Sequence, residues 1–193
     1  MKQIAGILLA AGSSRRFGAD KRLQPLADGT PMALASARHL ARACSRTIVV
    51  IRPDDVALAS LLAAEGLETV VCEQAGQGMG HSLSRGIEVS ADADGWLVAL
   101  ADMPYIEPAS YAAVAEALKN GTRLARPAYH GQAGHPVGFS AIYRSDLLAL
   151  TGDQGGKSIL DTHREQIRLC SVDDPGILKD IDRPSEFWPG CVN

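Results

Sequence analysis

The constraint that most narrows the fold is a short aliphatic run, residues 3–9, that gives way at once to Ala10-Ala11-Gly12. An uninterrupted apolar run of this length, closed by glycine, reads as a buried strand running into a loop. The rest of the chain repeats the pattern with helices between. Residues 32–43 are alanine-rich with apolar positions at helical spacing, and residues 47–51 are β-branched and read as a second buried strand. Asp54 and Asp55 offer caps for a helix that runs to Ala64 and closes at Gly66. A weak strand at 68–72, a helix at 82–90 and an apolar strand at 95–101 follow, the last ending at Asp102-Met103-Pro104. A helix at 108–120 starts near Pro108 and stops at Asn120-Gly121. Strands are expected at 124–127, 137–140 and 167–171, and helices at 144–150 and 157–164. This alternation predicts an α/β sandwich with a mostly parallel sheet covered on both faces. Ligands of such sheets sit outside the carboxyl ends of the strands.

At 193 residues the chain is sized for one domain, 1–193, and no repeat, low-complexity stretch or long linker divides it. Its formal net charge of −3 argues against nucleic acid as a partner, because phosphate-dominated binding needs a basic face. It leaves room for a small phosphorylated ligand. No apolar run approaches the roughly 18–20 residues of a membrane span, so no membrane partner is expected. The four cysteines, Cys44, Cys72, Cys170 and Cys191, are scattered without a CxxC pair, which suggests neither a disulfide framework nor zinc. A cytoplasmic protein is the expectation.

The strongest local signal is the segment LAAGSSRRFGADK at 9–21. Small residues after a strand let backbone N–H groups approach an anion, and Arg16 and Lys21 add charge for phosphates. The spacing matches neither the dinucleotide GxGxxG fingerprint nor the GxxxxGK[ST] loop, and an ordinary strand-to-helix turn is the other reading. A second glycine-dense loop, GQGMGHSL at 76–83, precedes a helix whose N-terminal N–H groups and Ser82 cap could meet a polar ligand. Asp102 ends an apolar run and should emerge at the carboxyl edge of the sheet, where a carboxylate suits Mg²⁺. GDQGGKS at 152–158 falls short of a P-loop, because Thr151 stands where a glycine would be needed and a helix precedes it. His39, His81 and His163 read as structural or surface residues. His135, between glycine and proline, reads as a turn residue before a general base.

These segments, in this order, resemble the molybdenum cofactor cytidylyltransferase-like nucleotidyltransferases, relatives of the molybdopterin guanylyltransferases and sugar-nucleotide pyrophosphorylases. The resemblance covers the whole chain. It implies a Rossmann-like fold of the nucleotide-diphospho-sugar transferase type. The first segment is similar to the LAAGxSxRxG…K signature, with Phe17 where methionine is usual. By that likeness Leu9, Ala10, Ala11, Gly12 and Ser14 would wrap the nucleotide, and Arg16 and Lys21 would hold its triphosphate. Gly78 and Ser82 match the GMGxSL segment of the cytidylyltransferase branch, which favours CTP over GTP. Asp102 matches the aspartate of the family's metal-binding Asp-Met-Pro. LKDIDRP at 178–184 resembles the DIDTP segment, with Arg183 in place of threonine, so Asp182, or else Asp180, would complete the metal site. HGQAGHPV at 130–137 and GDQGGKS resemble the GxxGHP and GDxGAR motifs of the acceptor side. They point to Gly134, His135, Pro136, Gly152, Asp153, Gly155 and Lys157, with Lys157 replacing an arginine and losing bidentate geometry.

The resulting expectation is a Mg²⁺-dependent nucleotidyltransferase that joins CMP from CTP to a phosphorylated acceptor, molybdopterin cofactor first, and releases pyrophosphate. Arg16, Lys21 and Asp102 are its expected catalytic residues. Its partners would be these small molecules and a molybdoenzyme or its maturation chaperone. Use of GTP, CTP transfer to another phosphorylated small molecule, and a non-catalytic cofactor carrier stay open as alternatives. The charge should divide locally, with Arg15, Arg16, Lys21, Arg22 and Lys157 gathered in loops at the site.

Overall fold

A computed structural model of the protein describes residues 2–12 and 20–182. Expectations that rest on Ser14, Arg15, Arg16, Phe17, Arg183 and Cys191 lie outside the described residues. The ordered alternation begins β1 (Ile4–Leu9), α1 (Met32–Ala41), β2 (Arg46–Ile51), α2 (Val56–Ala64), β3 (Glu68–Val71), α3 (Met79–Glu88), β4 (Gly95–Leu100) and α4 (Pro108–Lys119). It continues with β5 (Leu124–Tyr129), β6 (Gln132–Ala133), β7 (Val137–Ser140), α5 (Arg144–Leu148), α6 (Lys157–Thr162) and β8 (Ile167–Ser171). All eight strands join one sheet in the order β3-β2-β1-β4-β7-β5-β6, with β8 on the other edge of β5. The α/β sandwich is therefore as expected.

Side-chain alternation along the strands sorts the core into two layers. Ile4, Leu8, Val49, Ile51, Leu97 and Ala99 face α1 and α4 through Leu34, Leu40, Tyr111, Val114 and Leu118. Their neighbours Ala5, Ile7, Ile48, Val50, Trp96 and Val98 face α3 through Leu83 and Ile87, with Phe139, Tyr143 and Leu147. Both faces of β1, β2 and β4 are covered, which is why these strands are continuously apolar.

Parallel pairing holds for β1 with β2 and β4, β2 with β3, and β5 with β8. β7 instead runs antiparallel to both β4 and β5. The reason is local. No helix separates β5 from β7, so the chain must turn straight back. His130 and Gly131 make that reversal with φ values of +47° and +82°, pairing β5 with the unanticipated two-residue β6. A second departure is the start of α3. Gly78, at φ +131°, caps the helix, so Met79 and Gly80 form its first turn and Ser82 lies inside it instead of at its cap.

The chain beyond β8 is drawn back across the sheet end by close contacts that only small residues permit. A Cβ on Gly176 would stand 2.2 Å from the Tyr105 carbonyl oxygen, and one on Gly134 would stand 2.2 Å from that of Ile177. Asp174, fully buried, anchors the return. Its carboxylate accepts from the Glu107 backbone N–H at 2.9 Å, the Ser110 hydroxyl at 2.6 Å and the Gly176 N–H at 2.8 Å. It thereby caps α4 from 64 residues away in sequence. Replacing Asp174 with alanine strands three buried donors and should lower the unfolding free energy by about 3 kcal/mol, measurable by urea titration. A loss under about 0.5 kcal/mol, typical of a surface change, would show that the anchor is dispensable.

Candidate active site

β1 and β4 end side by side, Leu9 opposite Leu100, and their continuations open a cavity of about 640 Å³. Eight residues expected at a nucleotide line it: Leu9, Ala10, Ala11, Gly12, Lys21, Gly78, Ser82 and Asp102. The remaining two, Ser14 and Arg16, fall outside the described residues. Lys21 begins a short 3₁₀ turn and reaches across the sheet end. Its ammonium donates to Asp102 Oδ2 at 2.8 Å, Asp182 Oδ1 at 3.0 Å and the Ile181 carbonyl at 3.1 Å. Burial opposes its charge, but the two carboxylates outweigh that and hold Lys21 above the ordinary lysine range. It stays protonated.

Asp182 arrives by the long return past Asp174, and the Ile181 N–H donates to the Asp102 carbonyl at 2.9 Å, locking the two segments in register. Carboxylate oxygens of Asp102, Asp180 and Asp182 all lie within 4.8 Å of one another. Both candidates for the second carboxylate therefore reach Asp102. Converging hard oxygen donors fit a divalent cation that keeps part of its water shell.

Arg22 is not a phosphate-facing cation, contrary to expectation. Its side chain is 3% exposed. All five of its N–H donors are spent on protein oxygens: those of Asp20, both oxygens of Asp55, and the Ala10 carbonyl. Asp55, in turn, makes no side-chain cap for α2, and accepts instead from Arg22 and from the Arg52 backbone and guanidinium at 2.8 Å each. Burial pushes the Asp55 carboxyl up, but the hydrogen bonds from Arg22 and Arg52 prevail and bring it down to about 2. Sequence spacing carries no trace of this pairing, because 33 residues separate Arg22 from Asp55.

The two glycine loops of the sequence meet. A Cβ on Gly78 would stand 2.1 Å from the Gly152 carbonyl carbon, and one on Gly80 would stand 2.8 Å from the Thr151 oxygen. Gly78 and Gly80 thus serve loop-on-loop packing, against the backbone of Thr151 and Gly152. Beside this contact lies a second cavity of about 470 Å³. Of the expected acceptor residues, His135, Asp153, Gly155 and Lys157 line it. Gly134, Pro136 and Gly152 do not, and Gly134 is taken up by the contact with Ile177. Leu9, Met79, Leu100 and Asp153 belong to both cavities, so the two are adjoining compartments of one cleft. Burial, reinforced by the nearby Arg126 charge, lowers the His135 imidazole to about 4 against the pull of Asp180 and the Val98 carbonyl. It is neutral at physiological pH. His39 is structural, its Nδ1 at 2.9 Å from the Ile106 carbonyl.

The MobA-like NTP transferase domain matches residues 6–167. The chain belongs to this family, and it is a nucleotidyltransferase. It is 28% identical over 194 residues to the purine catabolism protein PucB of Bacillus subtilis (strain 168), covering 95% of this chain and 94% of PucB. It is 33% identical over 147 residues to a probable molybdenum cofactor guanylyltransferase of Chloroflexus aggregans, covering 76% of this chain and 68% of that one. Among solved structures, Rv0371c of Mycobacterium tuberculosis superposes with a TM-score of 0.83 at 27% identity, over 96% of each chain, and has also been solved with manganese. Among the described residues, no helix of this family member is long and apolar enough to cross a membrane.

The Asp55 environment sets a pH dependence. A carboxyl whose folded value lies below its unfolded one, 3.8 falling to about 2, stabilises the fold above the unfolded value and ceases to do so as pH drops through the folded one. The protein should therefore lose about 2 kcal/mol through Asp55 between roughly pH 4 and pH 2. Asp55→Asn should lack that part of the acid limb in denaturant titrations at fixed pH; identical limbs would place the linkage elsewhere.

Proposed function

We propose that this nucleotidyltransferase moves CMP from CTP to a phosphorylated acceptor, molybdopterin cofactor being the first choice, with Mg²⁺ as the divalent ion. The observation that carries the reading is the two-compartment cleft. The residues expected at a nucleotide, so far as they are described, line one compartment, four of the expected acceptor residues line the other, and the carboxylate–lysine cluster stands at the strand ends. The GMG start of α3 favours CTP by its likeness to the cytidylyltransferase branch. GTP is the second reading, favoured by the name of the Chloroflexus relative.

In the transfer, an acceptor phosphate oxygen forms a bond to the α-phosphorus of CTP. The bond to the bridging oxygen breaks, and pyrophosphate leaves with its electron pair. Alignment and charge neutralisation dominate such chemistry. Lys21 and Arg16 would offset charge growing on the pyrophosphate. Asp102, Asp180 and Asp182 would hold Mg²⁺, which when bound neutralises phosphate charge. The manganese-bound structural relative supports a divalent ion here. No protein base is required, since a phosphate monoester with a second pKa of about 6 is already ionised near neutral pH. His135, low in basicity, is suited to hydrogen bonding and not to proton abstraction. One domain over 1–193, a cytoplasmic location and delivery of the product to a molybdoenzyme or its chaperone complete the proposal; the single sheet supports the first of these.

Pyrophosphate release should be measured with each of the four nucleoside triphosphates and Mg²⁺, with and without molybdopterin. CTP with molybdopterin should give turnover, and Asp102→Asn should reduce it about a hundredfold or more. Turnover with GTP alone overturns the assignment of the base, and release that ignores molybdopterin overturns that of the acceptor.

A further inference from the structure

The second compartment contains a cation that the motif resemblance did not single out. Arg126 lies on β5 and lines the cavity beside His135, Val98, Val137 and Phe139. Its guanidinium is half-buried. Its bonds go to backbone oxygens, from Nε to Gly134 at 3.0 Å and from Nη2 to Ala133 at 3.5 Å. Among the described residues no carboxylate pairs with it; the same holds for Arg42, Arg123, Arg144 and Arg168, but of these five arginines Arg126 is the one that lines the cavity. Burial without compensation lowers the affinity of Arg126 for its proton. A half-buried guanidinium left unpaired in a cavity is a site prepared for an anion, because an incoming phosphate can take two of its N–H groups at once.

Its position specifies which anion. Arg126 lines the second compartment and not the first, whereas Lys21 and Asp102 line the first and not the second. Arg126 therefore stands on the acceptor side of the carboxylate cluster as Lys21 stands on the nucleotide side. We infer that Arg126 binds the phosphate monoester of the acceptor, whose less polar body rests on Val137, Phe139 and Leu160. This inference rests on the reading of the second compartment as the acceptor site. Lys157, Asp153 and Asp161 on the exposed rim of the same cavity are mixed in sign and select no charge. A charged residue inside an otherwise apolar strand segment, Leu124-Ala125-Arg126-Pro127, was the signal available in the sequence.

The test uses 4-nitrophenyl phosphate, an aromatic body with a phosphate monoester, titrated calorimetrically into the whole protein. Arg126→Gln keeps a donor for the Gly134 carbonyl and removes the charge. It should weaken this probe about tenfold or more, with Arg126→Lys intermediate and CTP affinity retained in both. A purely structural role would spare Arg126→Gln, so unchanged probe affinity in that variant overturns the inference. So does absence of binding to the wild type, or complete displacement of the probe by CTP, which would put it in the nucleotide compartment. Should the probe behave as expected while molybdopterin supports no turnover, Arg126 is upheld and molybdopterin alone is rejected as the acceptor.

Discussion

The buried guanidinium of Arg22 is the tie on which the geometry of the cleft depends. It joins the carbonyl of Ala10, just past β1, to Asp20 and to Asp55 at the start of α2. Ala10 and Asp20 stand on either side of the glycine- and arginine-bearing segment 11–19, so this one group ties together the chain that flanks it. A buried ion pair of this kind repays its desolvation only when every donor is matched, and here all five are. Lys21 follows directly. Between its held neighbours Asp20 and Arg22, the lysine reaches the strand ends, where Asp102 and Asp182 receive it.

The opposite wall is made by chain that returns from far away. Asp182 lies 161 residues from Lys21, and its approach depends on Asp174 over the start of α4 and on the bare backbones of Gly176 and Gly134. These contacts carry no chemistry of their own. They decide where the carboxylates of Asp180 and Asp182 stand, and they use up Gly134, which motif likeness had assigned to an acceptor. Gly78 and Gly80 leave no room for a Cβ against the backbone of Thr151 and Gly152, where two loops frame the boundary of the compartments.

What was legible in the sequence follows a physical divide. Continuous aliphatic runs and small-residue breaks marked β1, β2 and β4 because burial on both faces leaves its mark residue by residue. Asp102 was legible for the same reason, being the first polar group after such a run. The antiparallel β7 was not, since the direction of a strand depends on what connects it to its neighbours and not on its own composition. Pairings of Arg22 with Asp55 were hidden too. A charge in a loop looks the same in sequence whether it meets a ligand or a buried carboxylate. Arg126 and Arg22 make the contrast complete: the arginine just after the glycine-rich segment is neutralised by protein, and the one inside an apolar strand is left for a ligand.

This division of charge has a consequence for how a nucleotide is received. Around the first compartment the described cations Lys21, Arg22 and Arg52 face Asp20, Asp55, Asp102, Asp180 and Asp182, a surplus of carboxylate at the strand ends. Among the described residues Arg22 and Arg52 are bound to Asp20 and Asp55, and Lys21 is bound to Asp102 and Asp182. A bare triphosphate brought to that edge meets like charge at close range in a half-buried setting, where screening is weak. A divalent ion removes the conflict, because it is attracted by the carboxylates and the phosphates alike. On the proposed function the cluster would favour a nucleotide that arrives with its metal over one without it, and Lys21, engaged by Asp102 and Asp182, would be able to turn toward phosphate if an ion took over those carboxylates.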